Sequence, residues 1–268
     1  MIIAVTFHAN VAKTMMVMAP ITFLSLQFVS APYGKHDADN KIASAKAKKA
    51  GGGVKLPAKL CWVVMESPNV WWSLYFWYVA TDGRSFLPAR NLILLTLFTQ
   101  HYVNRSFIYP LRQRSPAPMP LHVMLSALTF CLVNGYLQAF DLVVQNPNNN
   151  TPELIFWIGV AIWWVGFYLN VQADDILRSL RSPTDKPGTY KIPHGGLFDY
   201  VSGANFAGEC IEWFGFALAS NSTASWAFFC FTFANVAPRA KDTHDWYLRK
   251  FGKQYEELGR SAILPGIY

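Results

Sequence analysis

Tyr190-Lys-Ile-Pro-His-Gly-Gly-Leu-Phe-Asp-Tyr-Val-Ser-Gly-Ala-Asn-Phe-Ala-Gly-Glu-Cys-Ile-Glu-Trp213 joins a glycine turn to an apolar helix that carries charge. Pro193, Gly195 and Gly196 make the turn, and beyond it Asn205, Glu209 and Glu212 recur at i, i+4 and i+7. On a helix these three share a face, while Phe206, Ile211 and Trp213 fill other positions with apolar groups. Carboxylates inside lipid-like sequence are costly, so this face is expected to point into a protein interior or a wet cavity and to mark a site.

The rest of the chain has the same character. Its 268 residues are 52% hydrophobic and 16% aromatic, with 15% charged, against about 25% charged in an average soluble domain. That composition belongs to a membrane protein. The formal charge of +7 raises nucleic acid as a partner, but the basic residues gather in particular loops as membrane topology demands, so no nucleic acid is expected. Cys61, Cys131, Cys210 and Cys230 all fall in apolar stretches without C-x-x-C spacing. They read as packing residues rather than a disulfide framework or a metal site.

Seven apolar stretches of near-spanning length follow one another: 11–32, 60–80, 91–111, 121–144, 153–171, 205–219 and 222–238. The first reads as a retained span, since no small-residue cleavage signature ends it. The last two are shorter than the roughly 20 residues a perpendicular span needs, so they either tuck within the bundle or extend into polar flanks. Basic residues alternate between the loops. Lys35, Lys41, Lys46, Lys48, Lys49, Lys55 and Lys59 lie between the first two spans, Arg112 and Arg114 after the third, Arg178, Arg181, Lys186 and Lys191 after the fifth, and Arg239, Lys241, Arg249, Lys250, Lys253 and Arg260 in the tail. The intervening loops carry only Arg84 and Arg90. The positive-inside rule then places the N-terminus outside and the C-terminus in the cytoplasm. The fold expected is all-α: one seven-helix transmembrane bundle over residues 1–268, with substrate-side helices at about 11–144 and a cofactor-binding part at about 153–268. The low-complexity run Ala43 to Gly53 reads as a flexible linker near headgroups.

Two clusters carry the chemistry. Glu66 lies near the cytoplasmic end of the second span and Tyr102 partway along the third, which runs back. At about 1.5 Å per residue, antiparallel neighbours could bring them to one depth. A protonated Glu beside a Tyr hydroxyl makes a pair of donors for a carbonyl oxygen; the alternative is that Glu66 pairs with Arg105 or a headgroup and only fixes packing. On the cytoplasmic side, Asn170, Asp174, Arg178 and Arg181 follow helical spacing, and Arg239, His244 and Tyr247 crowd past the last span. Guanidinium forks bind phosphate oxygens in pairs, so these suit an anionic phosphate-bearing ligand; a solvated loop touching anionic lipid would account for the tail lysines but poorly for Asn170, Asn205 and Glu209. No second His stands at ligand spacing to His244, so no metal is expected, and no G-x-G-x-x-G follows a strand, which excludes a Rossmann cofactor site.

These residues resemble the signature of the steroid 5-alpha-reductases (3-oxo-5-alpha-steroid 4-dehydrogenases). The block 190–213 is the most specific part. The likeness extends to Pro32-Tyr-Gly-Lys-His36, Glu66-Ser-Pro, His101-Tyr-Val-Asn-Arg-Ser-Phe-Ile-Tyr109, Asn170 through Arg181, and Arg239-Ala with His244 and Tyr247. The resemblance implies an NADPH-dependent reduction of a conjugated 3-keto steroid in the lipid bilayer by a monomer. Glu66 and Tyr102 would polarise the C3 carbonyl while hydride reaches C5 and a proton C4. Asn170, Asp174, Arg178, Arg181, Tyr190, Asn205, Glu209, Arg239, His244 and Tyr247 match cofactor-lining positions, as do Tyr33, Lys35 and His36, which would cap the cofactor. A bacterial member would sit in the inner membrane and a eukaryotic one in the endoplasmic reticulum, the cofactor site facing the cytoplasm in either. The lysine-rich linker and the outer loops depart from the animal enzymes, and His194 stands where some relatives have Gln. Rival readings are a membrane methyltransferase of the isoprenylcysteine type, which carries an Arg-His-Pro-x-Tyr turn where this chain has Pro193-His194-Gly195-Gly196, a non-catalytic sterol-binding protein of the lamin B receptor kind, and a reductase of polyprenols or enoyl thioesters.

Overall fold

Pro57, Pro88, Pro120 and Pro152 each stand immediately before a helix and Gly252 immediately after one, whereas Pro20 and Pro238 lie inside helices. The computed structural model describes residues 2–28, 54–82, 87–114, 116–180, 182, 185 and 189–268. Tyr33, Lys35, His36, the Ala43 to Gly53 linker and Arg181 lie outside them. The described chain is mostly helical: α1 (Ile2–Leu26), α2 (Ala58–Glu66), α3 (Pro68–Asp82), α4 (Ala89–Val103), α5 (Tyr109–Arg112), α6 (Leu121–Phe140), α7 (Glu153–Ser179), α8 (Ala204–Ser220), α9 (Thr223–Phe251) and α10 (Lys253–Glu256). Two short strands, β1 (Lys55–Leu56) and β2 (Met119–Pro120), pair antiparallel.

Each apolar stretch read from the sequence is largely helical over its described residues. Among the described residues three helical runs are long and apolar enough to cross a membrane: Ile3–Leu26, Leu121–Gln145 and Glu153–Ser179. Helix α8, with 17 residues, is about 25 Å long and so stays near the lower limit for a span. Helix α9 behaves differently. It runs 29 residues to Phe251 and passes through Pro238, so it continues as one rod well beyond the apolar part.

The contacts divide the chain into two compact units. The first comprises Met1–His8 with Ala31–Asn150, the second Ala9–Ser30 with Thr151–Tyr268. In the first, Pro68 cannot continue a helix from Glu66 without losing an amide hydrogen bond, so α2 stops at Glu66 and α3 restarts after one residue. The side chain of Asn69 donates to the Glu66 carbonyl at 3.2 Å and secures that break. Helix α3 packs on α6 at Gly135, where an added Cβ would come within 2.9 Å of Asn69 Cα. Helix α4 loosens into a π turn at Asn104–Ile108, and α6 into another at Asp141–Gln145. The second ends against Asn91, whose amide donates to the carbonyls of Leu142 (2.6 Å) and Asn146 (2.8 Å).

In the second unit α7 and α8 approach backbone to backbone. A Cβ on Gly166 would sit 2.1 Å from Glu212 N, on Gly208 2.5 Å from Asn170 N, and on Gly215 2.4 Å from Trp163 N. Gly159 and Gly166, like Gly208 and Gly215, are seven residues apart, so each pair lies on one stripe of its helix. Small residues at this spacing let helices associate closely where no hydrophobic force separates protein from lipid. The turn between α8 and α9 is set by Asn221 in the left-handed region (φ 49°) and by a capping box in which Ser222 accepts from Ser225 N at 3.1 Å. The C-terminal segment returns beside the turn before α8: Ser202 N donates to Ser261 O, and Gly203 N to Ala262 O, both at 2.9 Å.

Outward, the helices are apolar. Trp71, Leu74, Tyr75 and Tyr78 on α3, and Leu154, Trp157, Ile158, Trp164, Val165 and Tyr168 on α7, are all exposed. In water such faces would be a liability; in a bilayer they are the surface the solvent requires.

Because Gly166 meets the backbone of Glu212 directly, Gly166→Val forces α7 and α8 apart. Overpacking of that kind costs on the order of 1–3 kcal/mol, and the apparent melting temperature in detergent should fall by several degrees; an unchanged melting curve would remove this contact from the core of the fold.

Candidate functional site

The first cluster lies along α6. Cys131, Asn134 and Gln138 follow at i, i+3 and i+7 and share a face. Glu66, half-buried at the end of α2, accepts from Cys131 Sγ at 3.4 Å. Tyr102, 4% exposed, accepts from Asn134 Nδ2 at 3.3 Å, and Gln138 Nε2 donates to Asn134 Oδ1 at 3.1 Å. Glu66 and Tyr102, from different helices, therefore arrive on one face of α6, against residues a single turn apart. The Tyr102 ring is held by Phe98 at 4.8 Å and His101 at 5.0 Å. The guanidinium of Arg105 lies over the rings of Trp62 (4.9 Å) and Tyr109 (4.5 Å). Cys131, expected only to pack, is also a neighbour of the Glu66 carboxyl.

The second cluster is built by the close α7–α8 contact. Asn170, 1% exposed, donates through Nδ2 to the Asn205 carbonyl at 2.9 Å, and its buried Oδ1 has no hydrogen-bond partner among the described residues. Glu209 and Asp242 lie close enough to stabilise the charge of the half-buried Arg239. Arg239 Nε likewise lacks a partner. An orphaned acceptor and an orphaned cationic donor within one unit are the groups that an amide-bearing, phosphate-bearing ligand would satisfy. Glu212, grouped with Asn205 and Glu209 by spacing, is fully buried beneath Gly166 instead. Asp174 sits half-buried on α7, while Arg178 forms a partly exposed ion pair with Asp175 at 3.0 Å.

His244, Tyr247 and Tyr190 form a third group around the C-terminal segment. Ser202 Oγ and His244 Nδ1 are 2.6 Å apart, and Tyr255 donates to Ser202 at 2.8 Å. Tyr247 stacks on Tyr255 with ring centroids 4.9 Å apart, and Tyr190 meets Trp246 edge-on at 4.8 Å. Burial, reinforced by Tyr255, pushes the Tyr247 hydroxyl above its ordinary range, which keeps it neutral. Arg260 donates to the Pro193 carbonyl at 2.8 Å and lies 3.2 Å from His194 Nδ1, so it pins the glycine turn. Among the described residues no group of three or more His, Cys, Asp or Glu could hold a metal ion.

Asn134, Gln138, Ser202, Tyr255 and Arg260 escape the sequence reading. For α6 a signal was present: Cys131, Asn134, Gln138 and Asp141 recur at three, four and three residues within an otherwise apolar run. For Ser202, Tyr255 and Arg260 there was none, since nothing in their spacing tells that the tail folds back.

The comparisons with known proteins follow this geometry. The family described as 3-oxo-5-alpha-steroid 4-dehydrogenase matches residues 117–268, which include both the α6 stripe and the whole second cluster. The chain belongs to that family. It is 38% identical over 260 residues to the steroid 5-alpha-reductase DET2 of Solanum lycopersicum, covering 94% of each protein. It is 42% identical over 217 residues to human 3-oxo-5-alpha-steroid 4-dehydrogenase 1, covering 80% of this chain and 82% of the human one. The Arabidopsis thaliana DET2 protein is 35% identical over 272 residues, 98% of this chain. The likeness thus runs through both units, Glu66 and Tyr102 included in the span of the longest matches.

Burial holds the His244 pKa below its ordinary 6.5, the nearby Asp245 opposing. As pH falls below 6.5 the unfolded chain takes up this proton first, so stability is full above that value and is lost as pH drops through the lower folded one. Melting temperatures of wild type and His244→Gln, compared from pH 7.5 down to 5, should converge at the acid end; parallel curves would exclude His244 as the group that titrates.

Proposed function

We propose that this protein reduces the C4–C5 double bond of 3-oxo-Δ4 steroids such as testosterone or progesterone to the 5-alpha-dihydro products, with NADPH as cofactor. Its family membership supports the reaction class, and the observation that carries the mechanism is the arrival of Glu66 and Tyr102 on one face of α6. When bound, NADPH supplies the hydride that C5 receives. The chain's own work is at the other end of the conjugated system. As C5 gains the hydride, the π electrons shift through C4 toward the C3 oxygen, and negative charge grows there. Tyr102 O–H and the neutral form of Glu66 are donors aimed at that oxygen, and buried donors of this kind stabilise developing charge more than water could. Return of the electron pair to C4 with uptake of a proton restores the ketone and completes the saturation.

In this reading Asn170, Asp174, Asn205, Glu209, Arg239, His244, Tyr190 and Tyr247 hold the cofactor, Asn170 Oδ1 and Arg239 Nε filling their unused hydrogen-bond capacity in doing so. Arg178 joins them on a phosphate only by leaving Asp175, which is an inexpensive change for a surface pair. Arg181, Tyr33, Lys35 and His36 complete the set by family likeness. The bundle spans the membrane seven times with the N-terminus outside and the cofactor residues at the cytoplasmic face, and it acts as a monomer on substrate drawn from the bilayer.

Purified protein in detergent should oxidise NADPH on addition of testosterone and yield 5-alpha-dihydrotestosterone, identified by mass and stereochemistry. Glu66→Gln, which keeps a donor, should retain more turnover than Glu66→Leu, whose loss should reach about a hundredfold. Folded protein that binds NADPH without reducing any 3-oxo-Δ4 steroid would overturn the substrate assignment, and the reverse order of the two variants would overturn the donor role. Arg239→Ala should weaken NADPH by about tenfold or more and NADH much less, as titrations of protein fluorescence would read; equal losses would move Arg239 away from the 2'-phosphate.

A further inference from the structure

Resting on the role just proposed for Tyr102, we infer that Asn134, backed by Gln138, is the positioning residue that aims the Tyr102 hydroxyl. The amide chain has a direction. Gln138 Nε2 donates to Asn134 Oδ1 at 3.1 Å, which commits the Asn134 oxygen as acceptor and leaves its Nδ2 to donate to the Tyr102 oxygen at 3.3 Å. A hydroxyl that accepts from Asn134 does not give its proton to that amide, so the Asn134 bond fixes the hydroxyl in the role of acceptor on that side. Donation into the hydroxyl oxygen also makes that hydroxyl a stronger donor, because linked hydrogen bonds polarise one another in a low-dielectric interior.

Burial makes this arrangement strict. Asn134 is wholly buried and Gln138 1% exposed, so water cannot stand in for either amide. Nor can the pair drift. Gly135 beside Asn134 sits against Asn69 Cα, and Asn69 in turn binds the Glu66 carbonyl at 3.2 Å. The register of α6 thus places Asn134 opposite Tyr102 and Cys131 opposite Glu66 through the same helix contact. Two polar amides inside an apolar helix are costly, and local packing does not require them: a Leu pair would fill the space. What they supply that Leu cannot is a donor of fixed direction.

The test is a double-mutant cycle on steady-state testosterone reduction at saturating NADPH, with folding followed by size exclusion and melting temperature. In the wild-type background Asn134→Leu should lower kcat by about tenfold, with KM changed less than about twofold. In the Tyr102→Phe background, which has no hydroxyl to aim, the same substitution should change kcat by less than about twofold. An equal loss in both backgrounds would show that Asn134 acts through packing and would overturn the inference while leaving the role of Tyr102 intact. Full turnover by Tyr102→Phe would instead remove Tyr102 from the mechanism, and this inference with it. Asn134→Asp serves as the second variant, since it keeps the shape but replaces the donor by an acceptor. It should lose at least as much kcat as Asn134→Leu, and an Asp variant with wild-type kcat would overturn the proposal even if the Leu variant fails to fold.

Discussion

The contact between α7 and α8 is the constraint on which the second compact unit depends. Four glycines, Gly159 and Gly166 on one helix and Gly208 and Gly215 on the other, bring the two backbones to distances that a methyl group would forbid. In an apolar surrounding there is little to gain from burying more hydrocarbon, and helices adhere through close packing and interhelical hydrogen bonds. The approach at Gly208 is what lets the Asn170 amide reach the Asn205 carbonyl. It also leaves Glu212 sealed under Gly166 while Glu209, three residues earlier, stays half-buried on the side of Arg239. One packing decision therefore sorts the acidic residues of α8 into a sealed member and one that faces Arg239.

The other unit solves a different problem, that of carrying polar groups through an apolar bundle. Its answer is a stripe on α6 in which Cys131, Asn134 and Gln138 each engage a partner on another turn or another helix. The breaks in neighbouring helices serve this stripe. Pro68 stops α2 at Glu66 and the Asn69 amide takes up the carbonyl beside the break, so the carboxyl is presented at a helix end. The π turn that follows Val103 begins directly beyond Tyr102, and turns of this kind recur at functional sites because they redirect side chains at small cost. Irregular backbone within an apolar bundle is tolerated where protein covers it, as the Asn69 amide does at the break after Glu66 and the Asn91 amide at the end of the second π turn.

The C-terminal segment folds back onto the glycine turn before α8. Ser202, His244 and Tyr255 meet through two short hydrogen bonds, and Arg260 ties the Pro193 carbonyl of the glycine turn to the tail. Gly195 and Gly196, with φ of 92° and 56°, adopt a left-handed conformation that side chains resist. The turn can therefore pass over Gln172 on α7, whose amide oxygen would lie 2.5 Å from a Cβ at Gly196. The motif that is most legible in the sequence is held in place by residues from a part that is not.

Hydropathy, proline and glycine placement and the spacing of polar residues in apolar runs were enough to mark the helical stretches and the membrane class, because each is a local property of the chain, while the family showed through the likeness of the 190–213 block. Spacing also named Glu66 and Tyr102, since a carboxyl and a phenol inside spans are costly enough to stand out. Extension of α9 past Pro238 into the polar flank was one of the two readings the sequence left open, because a proline inside a helix and one at its end look alike until neighbouring packing is known. Whether Glu209 or Glu212 faces the site is likewise a matter of which stripe of α8 meets the glycines of α7. Asn134 stood at readable spacing, but its partner did not, for Tyr102 is 32 residues away. Sequence thus determined which groups had to be hidden from lipid, through their local cost; only the tertiary structure decided which pairs satisfy one another, because hydrogen bonds between helices depend on register and approach that no single helix encodes.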